Sequence, residues 1–351
     1  MCKSEKGEID TGITLDLIIT HYKEPFSVGK PLFDMIGLQR NINFEDVSVI
    51  LVNDGEENKL SDELFKDYPY RVENMAIPHG GVSRARNAGL QASKADWVIF
   101  CDFDDQICNT LGLQLVYSAI SEDNKDMYWT KFLEEVPVDG AVKLQPHQRD
   151  VVFIHGKIFR RQWLLDNNIR FHNGLTLHED VFFNQLAQAI ATEERIGAIE
   201  TGWYLWCSNP NSVGRSYGET FLFDTYDHLL KQRNEMAKEF RKRDMETQVK
   251  IVVSKTIIDG YYDFQTTFWR DKKHEKQFKE NERWFCTFLK RYGVDYSKCD
   301  SKAVALLGNN SRDYHFKNGA FLMECETLGG WLKHLMNDVK PFDISVLDVE
   351  E

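Results

Sequence analysis

Four carboxylates stand where short apolar runs end. Asp54 follows the run Val47 to Val52, and Asp102, Asp104 and Asp105 follow Trp97 to Cys101. In open α/β sheets, ligands bind at the carboxyl ends of the strands, so side chains from different strand ends share one rim. Three acids that close repel one another unless a cation or donor groups offset their charge. Hard divalent ions take oxygen ligands, and Mg2+ typically uses one or two carboxylates plus substrate phosphates. These residue types point to a nucleotide-diphosphate site bridged by a divalent metal, Mn2+ or Mg2+; the competing reading is a solvated acidic loop. A second segment, Gly81-Val82-Ser83-Arg84-Ala85-Arg86-Asn87-Ala88-Gly89, opens a helix with two arginines in its first turns. Free N–H groups at a helix start favour anions. The same arginines could instead pair with the acids of the rim, and both readings can hold at once.

The elements that must position these groups alternate through the first 105 residues. Leu15–Thr20, Val47–Val52, Val72–Ile77 and Trp97–Cys101 read as strands, and Val28–Gln39, Leu60–Phe65 and Val82–Ala92 as helices. Such alternation implies βαβ units and an α/β fold with a mostly parallel sheet covered on both faces. Doubly covered strands read as unbroken apolar runs, as these do. Farther on, Thr110–Ile120 is helical, Met127–Val136 and Val151–Ile154 are expected strands, Arg161–Asn167 and Val181–Ala191 are helices, and Ile196–Trp206 is a strand. From about Thr220 the pattern changes to long charged amphipathic helices over 220–243, 246–269 and 274–292. The expected organisation is a polar tail at 1–12, an α/β domain at 13–217, a helical subdomain at 218–342 and an acidic tail at 343–351.

Composition narrows the class. The 351 residues are 42% hydrophobic and 28% charged, which excludes a disordered or coiled-coil chain. The formal net charge of −12 is the wrong sign for non-specific nucleic-acid binding. Seven scattered cysteines without a C-x-x-C argue against a disulfide framework and a structural zinc site. No apolar run is long enough for a membrane span, and the start lacks a secretory h-region. The expectation is a cytoplasmic protein without a transmembrane segment, with association at the cytoplasmic membrane face left open.

The order of segments resembles glycosyltransferase family 2. The matching residues are Ile19-Thr20-His21-Tyr22-Lys23, Asn53-Asp54-Gly55-Glu56, the stretch His79 to Gly89, and Asp102 to Asp105. They continue through Gly156-Lys157-Ile158-Phe159-Arg160-Arg161, Asn168 to Leu175, His178-Glu179-Asp180, and Tyr204-Leu205-Trp206 through Ser212-Val213. The match runs over roughly residues 14 to 215. It implies a GT-A fold, Rossmann-like, followed by a helical C-terminal region outside the match. It also implies an inverting, metal-dependent transfer from a nucleotide-sugar donor, a UDP-sugar being the family's commonest.

Carried across by position, the resemblance makes Asp180 the general base, with Glu179 orienting or assisting it. Thr20, Tyr22, Asp54, Arg86 and Asp102 would hold the nucleotide. Asp104 would ligate the metal, supported by Asp105. His178, Tyr204, Trp206 and Arg215 would line the donor and acceptor groove. The chain departs from the family pattern at Asn53, where an acid is usual, at His21 and Lys23, and at His178, where a small residue is usual. No Q-x-x-R-W motif of processive synthases follows Asp180, so single-sugar transfer is expected. The acceptor would be a surface glycan, a teichoic-acid-like polymer or a lipid-linked precursor; a protein or nucleic-acid acceptor is the alternative.

One rival comes from another class. Gly214-Arg215-Ser216-Tyr217-Gly218 fits the G-x-S-x-G elbow of serine hydrolases, with Ser216 as nucleophile. That motif needs a strand before it, and Cys207 to Ser212 reads as a loop. The C-terminal helices interleave basic residues (Lys231, Arg233, Lys238, Lys272, Lys273) with aromatics (Tyr261, Phe264, Trp269, Trp284, Phe285). They read as a helical core with solvated charged faces, or as a dock for an acceptor, an anionic membrane surface or a second copy.

Overall fold

The computed structural model describes residues 2–3, 9–10, 12–121, 124–209, 212, 220–293, 301–317, 319–323 and 327–350. The chain forms two compact units, Met1–Pro210 and Asn211–Glu351.

The first unit is built on a nine-stranded mixed sheet. Ahead of it, β1 (Cys2–Lys3) and β2 (Ile9–Asp10) form a separate antiparallel pair. The main sheet begins with β3 (Leu15–His21), β4 (Val47–Asp54), β5 (Arg71–Ile77) and β6 (Trp97–Asp102), all parallel, in the spatial order β5-β4-β3-β6. Leu15, Leu17, Ile19, Val49, Leu51 and Ile99 face one core, packed on Leu32, Phe33 and Ile36 of α1 (Phe26–Gly37) and on Leu113 and Val116 of α3 (Gly112–Ile120). The alternate residues face α2 (Val82–Ala92) and α5 (Glu179–Ile190). A Cβ on Gly89 would lie 2.3 Å from Ile18 Cγ2, so only glycine lets α2 lie this close to the sheet. Phe100 meets Phe183 of α5 edge-on at 5.5 Å.

Beyond β6 the sheet changes direction. β10 (Ile158–Arg160) runs antiparallel to both β6 and β8 (Met127–Val138) and leads into α4 (Arg161–Asp166). β8 then pairs in parallel with β11 (Ile196–Trp206), and β11 pairs with the short β7 (Gln106–Ile107). β9 (Ala141–His147) extends β8 as a hairpin. Asp139 and Gly140 turn it with φ of 49° and 79°, both positive as a tight two-residue hairpin turn requires.

Two expectations need correction. Val151–Ile154 is a loop rather than a strand, because side chains take up its backbone groups. Asp150 Oδ1 accepts from Val152 N and Phe153 N, both at 2.8 Å, and Asn184 Nδ2 donates to the carbonyls of Val152 and Phe153. Leu60–Phe65 yields only a 3-10 turn at Asp62–Phe65, capped by Ser61.

The second unit is helical, with helices at Phe221–Asp224, Tyr226–Lys242, Glu246–Phe264, Glu275–Tyr292, Ser301–Lys317 and Leu328–Asp338. Its interleaved aromatics make the core: Tyr226, Phe264, Trp269, Phe285 and Trp331 are buried together. Lys231, Lys255 and Arg243 pair with acids one helical turn away. Among the described residues, no helix is long and apolar enough to cross a membrane.

Candidate active site

The carboxyl ends of β3, β4 and β6 form one rim, as the parallel register requires: Thr20 lies beside both Val52 and Asp102. Asp54 braces the loop before α2 there. Its Oδ1 accepts from Gly80 N at 2.7 Å, its Oδ2 from Gly81 N at 2.9 Å, and His79 Nδ1 lies 2.8 Å from Oδ2. This carboxylate therefore holds the turn that starts α2. Asn53 beside it is fully buried; its Nδ2 donates to Asn74 Oδ1 and Met75 O, both at 2.7 Å. A carboxylate cannot donate, so the unusual Asn53 is explained by the neighbours it has to serve. Tyr22 is exposed, its ring stacked on His79 at 4.6 Å with Lys23 Nζ 4.5 Å from its centroid.

Arg86 is the hub of the site. It is 4% exposed, its Nη2 donating to Asp102 Oδ1 at 2.7 Å and its Nη1 to Glu179 Oε1 at 3.0 Å. The arginines of the α2 segment thus divide, with Arg86 paired to the rim acids. One guanidinium thereby joins the end of β6 to the start of α5. Burial would raise the Asp102 carboxyl, but Arg86 and His155 more than offset it, leaving Asp102 below the usual carboxylate range. Glu179 is pushed up to about 7 by burial and by the charge of Asp180. Burial likewise raises Asp180, against the pull of Arg86 and His155, and Asp180 Oδ1 accepts from Val181 N at 2.8 Å. His178 ahead of them has φ 60° and ψ 21°, the left-handed region that side chains other than glycine seldom adopt.

The three acids after β6 part company. Asp105 turns inward: Tyr204 Oη donates to its Oδ2 at 2.6 Å and Cys207 N to its Oδ1 at 3.0 Å. His155 Nδ1 lies 3.3 Å from Asp105 Oδ2 without the alignment of a hydrogen bond. Asp102, Asp105 and His155 each offer an atom within 4.8 Å of the others, and among the described residues this is the group that could hold a metal ion. Asp104 lies outside it, its Oδ2 accepting from Asn209 Nδ2 at 2.7 Å. Burial and the charges of Asp102 and Asp105 push Asp104 up to about 6. Against the effect of burial, Asp105 and Asp102 favour the protonated imidazole, and a divalent transition ion such as Mn2+ would take the place of that proton, with two carboxylates and the buried ring nitrogen as its donor set.

His155 is the residue that sequence reading missed. It immediately precedes the matched Gly156-Lys157 segment, and that position, in Phe153-Ile154-His155-Gly156, is its signal in the sequence. Trp206 stacks on its ring at 4.8 Å, and Phe132 meets it at 5.5 Å. Trp206 and Tyr204 thus contact the imidazole and Asp105. Lys157 was matched but given no role; it is buried, donates to Phe153 O, and burial pushes it down to about 8. Arg215 and Ser216 lie outside the described residues.

Residues 16–179 match the model of glycosyl transferase family 2. This segment resembles a family 2 glycosyltransferase domain. Among curated relatives, the glycosyltransferase EpsJ of Bacillus subtilis is 26% identical over 191 residues, covering 48% of this chain and 54% of its own length. The minor teichoic acid biosynthesis protein GgaA of the same organism is 28% identical over 224 residues, covering 56% and 48%. The chain thus spans about half the length of these relatives. Among solved structures, S. aureus TarS 1-349 in complex with UDP superposes with a TM-score of 0.56 at 16% identity, covering 88% of this chain and 92% of that one. The same protein in complex with UDP-GlcNAc gives 0.56, with 88% and 93% covered. The likeness establishes a GT-A fold. Arg86, Asp102, Asp105 and Glu179 are brought together with His155 and Asp180, whereas Asp54 bonds the turn before α2 and Asp104 turns to Asn209.

Proposed function

We propose that the chain is a metal-dependent, inverting glycosyltransferase. It moves a single sugar from a UDP-sugar to a hydroxyl of a teichoic-acid-like polymer or related surface glycan. The observation that carries this is the Arg86 hub, which sets the β6 acids and the Glu179–Asp180 pair on one rim. The donor class is supported by UDP and UDP-GlcNAc in the similar TarS structures. The acceptor class is supported by the names of GgaA and of a poly(ribitol-phosphate) beta-glucosyltransferase of Bacillus spizizenii, 22% identical over 238 residues.

A divalent ion held by Asp102, Asp105 and His155 would supply charge stabilisation for the departing diphosphate. Asp180 accepts the proton of the acceptor hydroxyl. The freed oxygen bonds to the anomeric carbon as the bond from that carbon to the diphosphate oxygen breaks, and the nucleoside diphosphate leaves with the electron pair. Carboxyls raised toward neutrality suit a base at physiological pH. Glu179, held by Arg86, fixes the first turn of α5 and so the aim of Asp180. Tyr22 and His79 offer a stacked platform at the nucleotide end of the rim. The helical unit is assigned to acceptor docking, at the cytoplasmic membrane face or against a second copy.

A donor panel by calorimetry, with Mn2+ and with EDTA, tests the reading. One nucleotide sugar binding wild type in Mn2+, with binding weakened by EDTA and by Asp105→Asn, is the expected result. Failure of every nucleotide sugar to bind would sink it and return attention to Ser216.

A further inference from the structure

The loop that carries His155 is held from beneath by the helix that carries Asp180. Asn184 stands one turn after Asp180 on α5 and is 2% exposed. Its Nδ2 donates to Val152 O at 2.8 Å and to Phe153 O at 2.9 Å. Its Oδ1 is buried with no hydrogen-bond partner. Flipping the amide would aim that oxygen at two carbonyls, so the orientation is settled by the neighbours. An unsatisfied buried acceptor is costly, and the side chain acts only through its two donors.

The loop is restrained along its length: Asp150 Oδ1 accepts from Val152 N and Phe153 N, and Lys157 Nζ donates to Phe153 O. Thr130 Oγ1 donates to Gly156 O at 2.7 Å, and Gly156 has φ +67° with space for no Cβ, which would fall 2.7 Å from Thr130 Oγ1. Phe153 packs on Trp206 at 4.8 Å, and Trp206 on His155. Asn184 adds the tie from this segment to α5, through the carbonyls of Val152 and Phe153. We infer that Asn184 is a positioning residue that sets His155 against Asp102 and Asp105, tying the metal site to the helix of the general base. The inference rests on the metal-site reading above.

The test is Mn2+ binding by calorimetry on the full chain without nucleotide, each variant measured well below its own melting temperature. The variants are Asn184→Ala, Asn184→Asp and, as control, His155→Ala. Partners that orient a metal-ligating histidine are typically worth about 10–100-fold in affinity. Asn184→Ala should weaken Mn2+ binding about tenfold. Asn184→Asp, which replaces both donors with acceptors facing carbonyls, should weaken it further. If the aspartate does not fold, the alanine variant decides. Mn2+ affinity within about twofold of wild type in the Asn184 variants, with His155→Ala defective, would overturn the inference while leaving the metal site standing. Wild type that binds no Mn2+, or binding unchanged in His155→Ala, would overturn the metal site and the inference together.

Discussion

Replacing Arg86 by Met should destabilise the first unit in a pH-dependent way. The substitution keeps much of the side-chain volume and removes the charge. It leaves Asp102 and Glu179 facing each other's field without the guanidinium that now bonds both, at 2.7 and 3.0 Å. Removing one partner of a buried ion pair costs about 3–5 kcal/mol, because a charge is left buried and uncompensated. For a unit of this size that is a melting-temperature loss of about 6–20 °C. The loss should depend on pH with a definite sign. Asp102 is held below the usual range in the folded chain, so its stabilisation is present above its unfolded pKa and is lost as pH falls through the lower folded one. Glu179 titrates at about 7, so at pH 8 it is ionised and paired, whereas at pH 5.5 it is mostly neutral. A hydrogen bond to a charged group contributes about 1.5–3 kcal/mol against about 0.5–1.5 for a neutral one. The gap between wild type and Arg86→Met should therefore shrink by about 1–2 kcal/mol from pH 8 to pH 5.5. Urea unfolding followed by tryptophan fluorescence at both pH values measures it. A gap that is equal at the two pH values, or larger in acid, would refute the hub as described.

Three further outcomes are expected. Asp180→Asn should cut turnover by about 10²–10⁴-fold while donor binding by calorimetry stays within a few-fold, because the base acts on the acceptor proton. Wild-type kcat/KM should fall on acidification from pH 8 to 5.5, since burial raises the Asp180 carboxyl and only the ionised base accepts a proton; a flat profile over that range would contradict this. Asp105→Asn should weaken Mn2+ binding more than Asp104→Asn, because Asp105 belongs to the group with Asp102 and His155 and Asp104 does not; the reverse order in a calorimetric titration would restore Asp104 as the ligand.

Much of the fold was legible in the residues because local physics dominates there. The runs Leu15–Thr20, Val47–Val52 and Trp97–Cys101 are buried on both faces, and such strands can hardly be written in other residues. Val82–Ala92 and Ile196–Trp206 form over the residues that periodicity marks. The rim itself follows from parallel order, since strand ends of one direction must lie together. What sequence alone left undetermined was set by partners distant along the chain. Val151–Ile154 has strand composition, yet Asp150 and Asn184 take its backbone groups and make it a loop. Which of Asp104 and Asp105 faces His155 depends on Tyr204, Cys207 and Asn209, about a hundred residues later, with adjacent positions sharing no distinguishing local pattern. Sequence spacing determines which acids reach the rim. Only tertiary packing decides which carboxylate turns in beside His155 and which turns to Asn209, because that choice rests on donors delivered from segments distant along the chain.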